Sequence, residues 1–181
     1  HTSVKVFDGA GTEQAFFPVP ADPTPGDVAD AAFIRRLLDH YESSKMFHAY
    51  DSFEGLPAKS QQDASPAGID FKAGELSVSR KQLLEQFHKA HLKPPIVHKG
   101  WFDEMTSKDV PEQIAFAFLD GDFYESIIDS LRLVYPRMQK GGVITVDDYQ
   151  KDKLPGVERA LRDFLQDKSV PIRVSRNIAV I

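Results

Sequence analysis

Apolar residues recur along this chain in two alternating rhythms, and the alternation itself is the first result. Residues 27–41 place Val28, Ala31, Ala32, Ile34, Leu37 and Leu38 on one face, which predicts a helix. Residues 46–50 form a short strand ending at Asp51. Residues 79–91 read as a second helix: Ser79 and Gln82 fit a capping box, and Leu83, Leu84, Phe87 and Ala90 make its stripe. A strand over 95–98 ends at Gly100, and residues 114–119 are apolar throughout, as a strand buried on both faces should be. Ile127, Leu131 and Val134 mark a helix that Pro136 helps close. Gly141-Gly142 is then expected to turn the chain into a strand over 143–146. Val157, Ala160, Leu161, Phe164 and Leu165 give a last helix, and 172–174 with 178–181 an antiparallel pair. Such alternation predicts one α/β domain over 1–181 with a largely parallel sheet.

Two stretches break the rhythm. Residues 1–26 carry four prolines and are expected to be an irregular or incomplete N-terminal region. Residues 52–78 are long, polar and punctuated by Gly and Pro, the profile of a functional loop and here a candidate lid. Composition then narrows the class. A net charge of −5, with no dense basic block, argues against a nucleic-acid surface. No apolar run approaches the roughly 20 residues that cross a bilayer. Cysteine is absent, which removes disulfides, thiolate metal sites and a cysteine nucleophile, and suits a cytoplasmic location. A start at His1 rather than Met leaves room for a missing N-terminal segment, a targeting one included.

Chemistry concentrates where strands should end. Asp120 and Asp122 follow one apolar run, Asp147 and Asp148 another, and the spacing between them holds one right-handed βαβ unit. Ligands bind beyond the carboxyl ends of parallel strands. Carboxylates converging there would repel one another, a penalty that a hard divalent ion such as Mg²⁺ removes. The plainer alternative has Asp148 capping a turn and Asp122 capping the helix at Ser126.

Asp51 stands where an acidic residue commonly accepts hydrogen bonds from a ribose, or else it caps its own turn. Trp101 and Phe102 offer an aromatic face for a purine, or else belong to the core. Gly9-Ala10-Gly11 suggests a glycine loop, but Asp51 follows at far more than the roughly 20 residues of a dinucleotide fingerprint. The six histidines show no ligand spacing; His48 and His98 lie near strand ends and are outside candidates for a base.

Taken together, Ala49-Tyr50-Asp51-Ser52-Phe53-Glu54-Gly55-Leu56-Pro57, Lys99-Gly100-Trp101-Phe102-Asp103-Glu104, residues 114–126 and residues 141–149 resemble the macrocin O-methyltransferase family. The likeness runs over roughly residues 46 to 165. It implies a Rossmann-like class I methyltransferase fold: a mostly parallel seven-stranded sheet with an antiparallel last strand and helices on both faces. It implies S-adenosylmethionine as cofactor, with Asp51 holding the ribose, Ser52 among the cofactor-binding residues, and the turn of Gly100, Trp101 and Phe102 beside the adenine. It further implies Mg²⁺ on Asp120, Asp147 and Asp148, and methyl transfer to a sugar hydroxyl of a natural product, with Asp120 placed to take the proton.

One part of the family pattern is missing. The first strand and its glycine turn should lie one helix upstream of Asp51, where Phe16-Phe17-Pro18-Val19-Pro20 stands instead. Either residues 4–11 supply that strand or it is lost. Two other readings therefore remain open: a cofactor-deficient binding module on the same fold, and a Mg²⁺-dependent phosphatase of the aspartyl-phosphate type built on Asp120 and Asp122. A homo-oligomer is also compatible with an N-terminal region that packs poorly by itself.

Overall fold

The computed structural model describes residues 3–7, 26–67, 70–150 and 152–181, the first of these as backbone. Strand β1 (Ser3–Phe7) precedes helix α1 (Gly26–His40), β2 (Phe47–Asp51), α2 (Arg80–Lys89) and β3 (Ile96–Lys99). Then come β4 (Ile114–Asp120), α3 (Tyr124–Val134), β5 (Met138–Val146), α4 (Pro155–Leu165), β6 (Arg173–Ser175) and β7 (Ile178–Val180). The strands join in one sheet of order β3-β2-β1-β4-β5-β7-β6.

The expectation of a mostly parallel sheet needs correction. Only β2 with β3 and β4 with β5 run parallel; the other four pairings are antiparallel. The β6–β7 hairpin accounts for two of them and matches the terminal pair read from the sequence. The other two come from β1, which lies between β2 and β4 and runs opposite to both. Ser3 therefore pairs with Asp120 at one edge, while Phe7 meets Phe47 and Phe116 at the other. The Val4 segment does occupy a central slot, but the strand ends at the edge away from the acidic residues. Gly9 and Gly11, and the 16–20 stretch, lie outside the described residues.

Two apolar clusters lie against the sheet. On one face Ala117 and Leu119 of β4 and Ile144 and Val146 of β5 pack under Ile127, Leu131 and Val134 of α3 and Val157, Ala160, Leu161 and Leu165 of α4. Phe116, one residue out of phase with Ala117, joins the other cluster with Phe47, Ala31 of α1, and Leu83 and Phe87 of α2. Helices thus cover both faces. The predicted capping box is present: Ser79 Oγ accepts from the Gln82 N–H, and the Gln82 side chain accepts from the Ser79 N–H at 2.9 Å.

Gly141-Gly142 does not turn the chain into a new strand. It lies inside β5, where the register with β4 shifts between Ile114 and Phe116. Gly141 has φ +80°, and a Cβ on Gly142 would sit 2.8 Å from Met138 Cε. The pair bends one long strand instead of separating two elements.

Candidate metal and cofactor site

The carboxyl ends of β2, β4 and β5 share one edge of the sheet. The register Leu119 to Val146, continued by the Asp147 N–H donating to the Leu119 carbonyl at 2.9 Å, sets Asp120 and Asp147 side by side. Among the described residues two sets of carboxylate oxygens each fall within 4.8 Å of one another: Asp30, Asp120, Asp147 and Asp120, Asp122, Asp148. Asp120 belongs to both. The expected trio of Asp120, Asp147 and Asp148 is therefore divided between the two sets.

Local backbone geometry explains the division. Asp147 Oδ1 accepts from the Asp148 N–H at 2.8 Å and from Asn177 Nδ2 at 2.9 Å, which turns it toward the β6–β7 hairpin. Asp148 has φ +52°, and Asp122 has φ +54°. These left-handed positions, which aspartate tolerates better than most residues, aim both side chains at Asp120. Asn177 was not singled out in the sequence; its only signal is its place in the turn of the terminal hairpin. Replacing Asn177 with Ala is expected to cost about 1 kcal/mol, the worth of one half-buried bond to a carboxylate, read as a lower urea midpoint with unchanged slope.

Asp120 and Asp122 are each only 6% exposed. Burial pushes the Asp122 carboxyl up to about 6, and the neighbouring Asp148 adds in the same direction. The capping role considered for Asp122 is not observed. The N-cap of α3 is Phe123 without a side-chain bond, and the Tyr124 N–H donates instead to Asp63 Oδ1 at 2.7 Å. Asp63 and Asp30 were both missed, because a ligand or cap supplied from another element leaves no local spacing to read.

The expected cofactor residues fare unevenly. Asp51 ends β2, and its Oδ1 accepts from the Phe53 N–H at 2.6 Å, the tight turn anticipated as its plainer role. Ser52, 1% exposed, accepts from the Glu54 N–H at 3.1 Å and donates to the Gly55 carbonyl at 3.4 Å. The Gly100 N–H donates to the Asp51 carbonyl at 3.1 Å, so the turns after β2 and β3 are joined. Trp101 is half-buried beside them. Phe102 must be corrected: it is 5% exposed and packs in the core with Tyr50 and Val110, so its ring is not an adenine face.

The two outside candidates for a base lie elsewhere. His48 and His98 approach one another at 3.0 Å, and His98 stacks on Tyr50 at 4.4 Å. His48 is level with Ala117 through Val6, three residues and thus roughly 10 Å behind the strand tip. Burial lowers the His98 pKa, with Asp109 acting against it.

The long polar segment after β2 is tied down over its described residues. The Leu56 N–H donates to the Glu75 carbonyl and the Gly74 N–H to the Leu56 carbonyl, each at 2.9 Å, closing its base. Farther out, Ser65 Oγ donates to the Asp152 carbonyl at 2.6 Å, and Arg159 bonds the Gln62 carbonyl. No helix among the described residues is long and apolar enough to cross a membrane.

Comparison with known proteins adds the lineage. A family model described as Macrocin-O-methyltransferase (TylF) matches residues 28–178. Over 163 residues the chain is 31% identical to the 8-demethyl-8-(2,3-dimethoxy-alpha-L-rhamnosyl)-tetracenomycin-C 4'-O-methyltransferase of Streptomyces olivaceus, covering 82% of this chain and 60% of that protein. It is 26% identical over 163 residues to the demethyldecarbamoylnovobiocin O-methyltransferase of Streptomyces niveus, covering 82% and 62%. Among solved structures, the O-methyltransferase NovP superposes with a TM-score of 0.68 at 24% identity, over 84% of this chain and 66% of that one. The calicheamicin methyltransferase CalS11 gives 0.63 at 22%, over 85% and 66%. At those identities the structural matches speak for the fold alone. The chain spans about three fifths of the length of the curated relatives it matches.

Proposed function

Because the chain belongs to the macrocin O-methyltransferase family, we propose that its acidic edge holds Mg²⁺ and presents a sugar hydroxyl of a natural product for methylation by S-adenosylmethionine. The observation that carries this reading is the pair of carboxylate sets meeting at Asp120. Hard oxygen donors at that spacing suit Mg²⁺, and burial of Asp120 and Asp122 without a cation is costly. Asp120, Asp122 and Asp148, the more buried of the two sets, would hold the ion, and Asp147 would stand beside it through Asp120. When bound, Mg²⁺ acts as a Lewis acid on the hydroxyl and S-adenosylmethionine supplies an electrophilic methyl group.

The chain's own residues do the rest. Asp120, expected from the sequence to take the proton, is shared by both oxygen sets and is the central ligand. Asp122, the second buried acid of the set with Asp148, would share the ion with it. Asp51 and the backbone of Gly100 and Trp101 would meet the nucleoside end of the cofactor, and the segment after β2 would cover the acceptor. A rhamnosyl acceptor is the first to try, since one relative is named for a rhamnosyl substrate. With labelled S-adenosylmethionine, Mg²⁺ and a rhamnoside, the expected result is methylated sugar, lost on adding EDTA. No product at any Mg²⁺ concentration would sink the reading.

A second reading is favoured by β1. In an open α/β sheet the ligand crevice opens where strand order reverses, here between β1 and β4. Because β1 is inverted, its carboxyl end lies at the wrong edge to offer a glycine turn there. That arrangement suits a binding module that keeps the metal and the acceptor but holds S-adenosylmethionine weakly. Calorimetry separates the two: Mg²⁺ binding with no cofactor heat supports the module. The family match over residues 28–178 speaks against the phosphatase.

A further inference from the structure

Helix α3 begins two residues after Asp122, so its first turn sets where that carboxylate stands. Its N-cap residue, Phe123, brings no acceptor of its own. The bond comes from Asp63 instead, whose Oδ1 takes the Tyr124 N–H at 2.7 Å. Asp63 Oδ2 accepts from the Ser60 N–H at 2.9 Å and the Ser60 hydroxyl at 2.7 Å, closing its own short turn over 61–63. A single carboxylate, 3% exposed, thus caps a distant helix and folds its own segment at once. Its charge also lies at the positive end of α3.

The start of α4 holds this junction from the other side. A Cβ on Gly156 would sit 1.9 Å from Asp63 Oδ1 and 2.9 Å from the Tyr124 nitrogen. Only glycine lets the α4 backbone lie against that bond. The acidic turn is packed just as tightly onto α3. The Phe123 N–H donates to the Gly121 carbonyl at 2.5 Å, and a Cβ on Gly121 would meet Ser126 Cβ at 2.9 Å. There is little slack between Asp63 and Asp122.

We propose that Asp63 is a positioning residue for the acidic site, holding Asp122 and Asp120 at the spacing a divalent cation needs by fixing the first turn of α3 from the segment after β2. The proposal rests on the reading of that site as a metal site. Asp63 itself touches no ligand and acts through the backbone. The same carboxylate joins that segment to the site, so a disturbance in either is felt by the other.

The test is Mn²⁺ affinity of the full chain by electron paramagnetic resonance, well below the unfolding temperature. Asp63→Ala is expected to weaken binding about tenfold or more, the usual effect of losing a residue that orients ligands. Gly156→Ala, which pushes on Asp63 without altering any acid, should do the same. Asp63→Asn keeps the shape but cannot accept at both ends, and should give a smaller, few-fold loss; it decides the matter if the alanine variant fails to fold. Phe87→Leu, in the cluster on the opposite face, controls for general destabilisation and should leave affinity unchanged. Asp63 and Gly156 variants that bind Mn²⁺ like the parent overturn the proposal alone. A loss equalled by Phe87→Leu overturns it as well. A parent chain without Mn²⁺ affinity overturns the metal reading beneath it.

Discussion

Replacing Asp120 with Asn should lower methyl transfer about a thousandfold and abolish measurable Mn²⁺ binding, while leaving the circular dichroism spectrum unchanged. Asp120 is common to both carboxylate sets, so no rearrangement of the remaining acids reproduces its position. Asparagine matches its size, and the bond from the Asp147 N–H goes to the Leu119 backbone, so the strand ladder keeps its form. The amide brings no charge to offset the cation. Lewis-acid stabilisation of several kcal/mol is lost, and about 4 kcal/mol corresponds to roughly a thousandfold in rate. Activity within tenfold of the parent would show that the ion, or the reaction, is held elsewhere.

Asp122 gives the second large effect, and it appears in stability. Burial is the main cause that pushes its pKa in the folded chain up to about 6 from an ordinary 3.8. A carboxyl raised in the folded state favours folding while protonated. Its contribution is complete below the unfolded value, near pH 4, and is lost as pH rises through about 6. At about 1.4 kcal/mol per pKa unit the metal-free chain loses about 3 kcal/mol across that window. Asp122→Asn should flatten this part of the profile and be the more stable chain at pH 7, measured by urea unfolding in EDTA at several pH values. Mg²⁺ selects the ionised carboxylates, so it should restore stability to the parent above pH 6 and do little at pH 4.5. Parallel profiles for parent and variant would refute the assignment.

Both effects depend on acids whose positions along the chain were legible, though their grouping was not. A strand end followed by aspartate is readable because the apolar run has a period and a length. Asp120, Asp122, Asp147 and Asp148 could all be named that way. Which acids pair was not readable, since two left-handed residues and one bond from Asn177 decide it. Phe102 shows the same limit: an aromatic after a strand has no mark telling core from site. The helix cap supplied by Asp63 comes from 61 positions upstream, beyond any local motif.

By itself the sequence determined the alternation of elements, the edge where chemistry collects and the family, because periodicity and short motifs are local properties. The tertiary structure alone decided the direction of β1. Its extended backbone offers hydrogen bonds to either side whichever way it runs, and only packing between β2 and β4 chooses. It also decided the division of the carboxylates about Asp120 and the lock formed by Asp63 and Gly156. Each depends on distances between residues far apart in the chain, which no local pattern encodes.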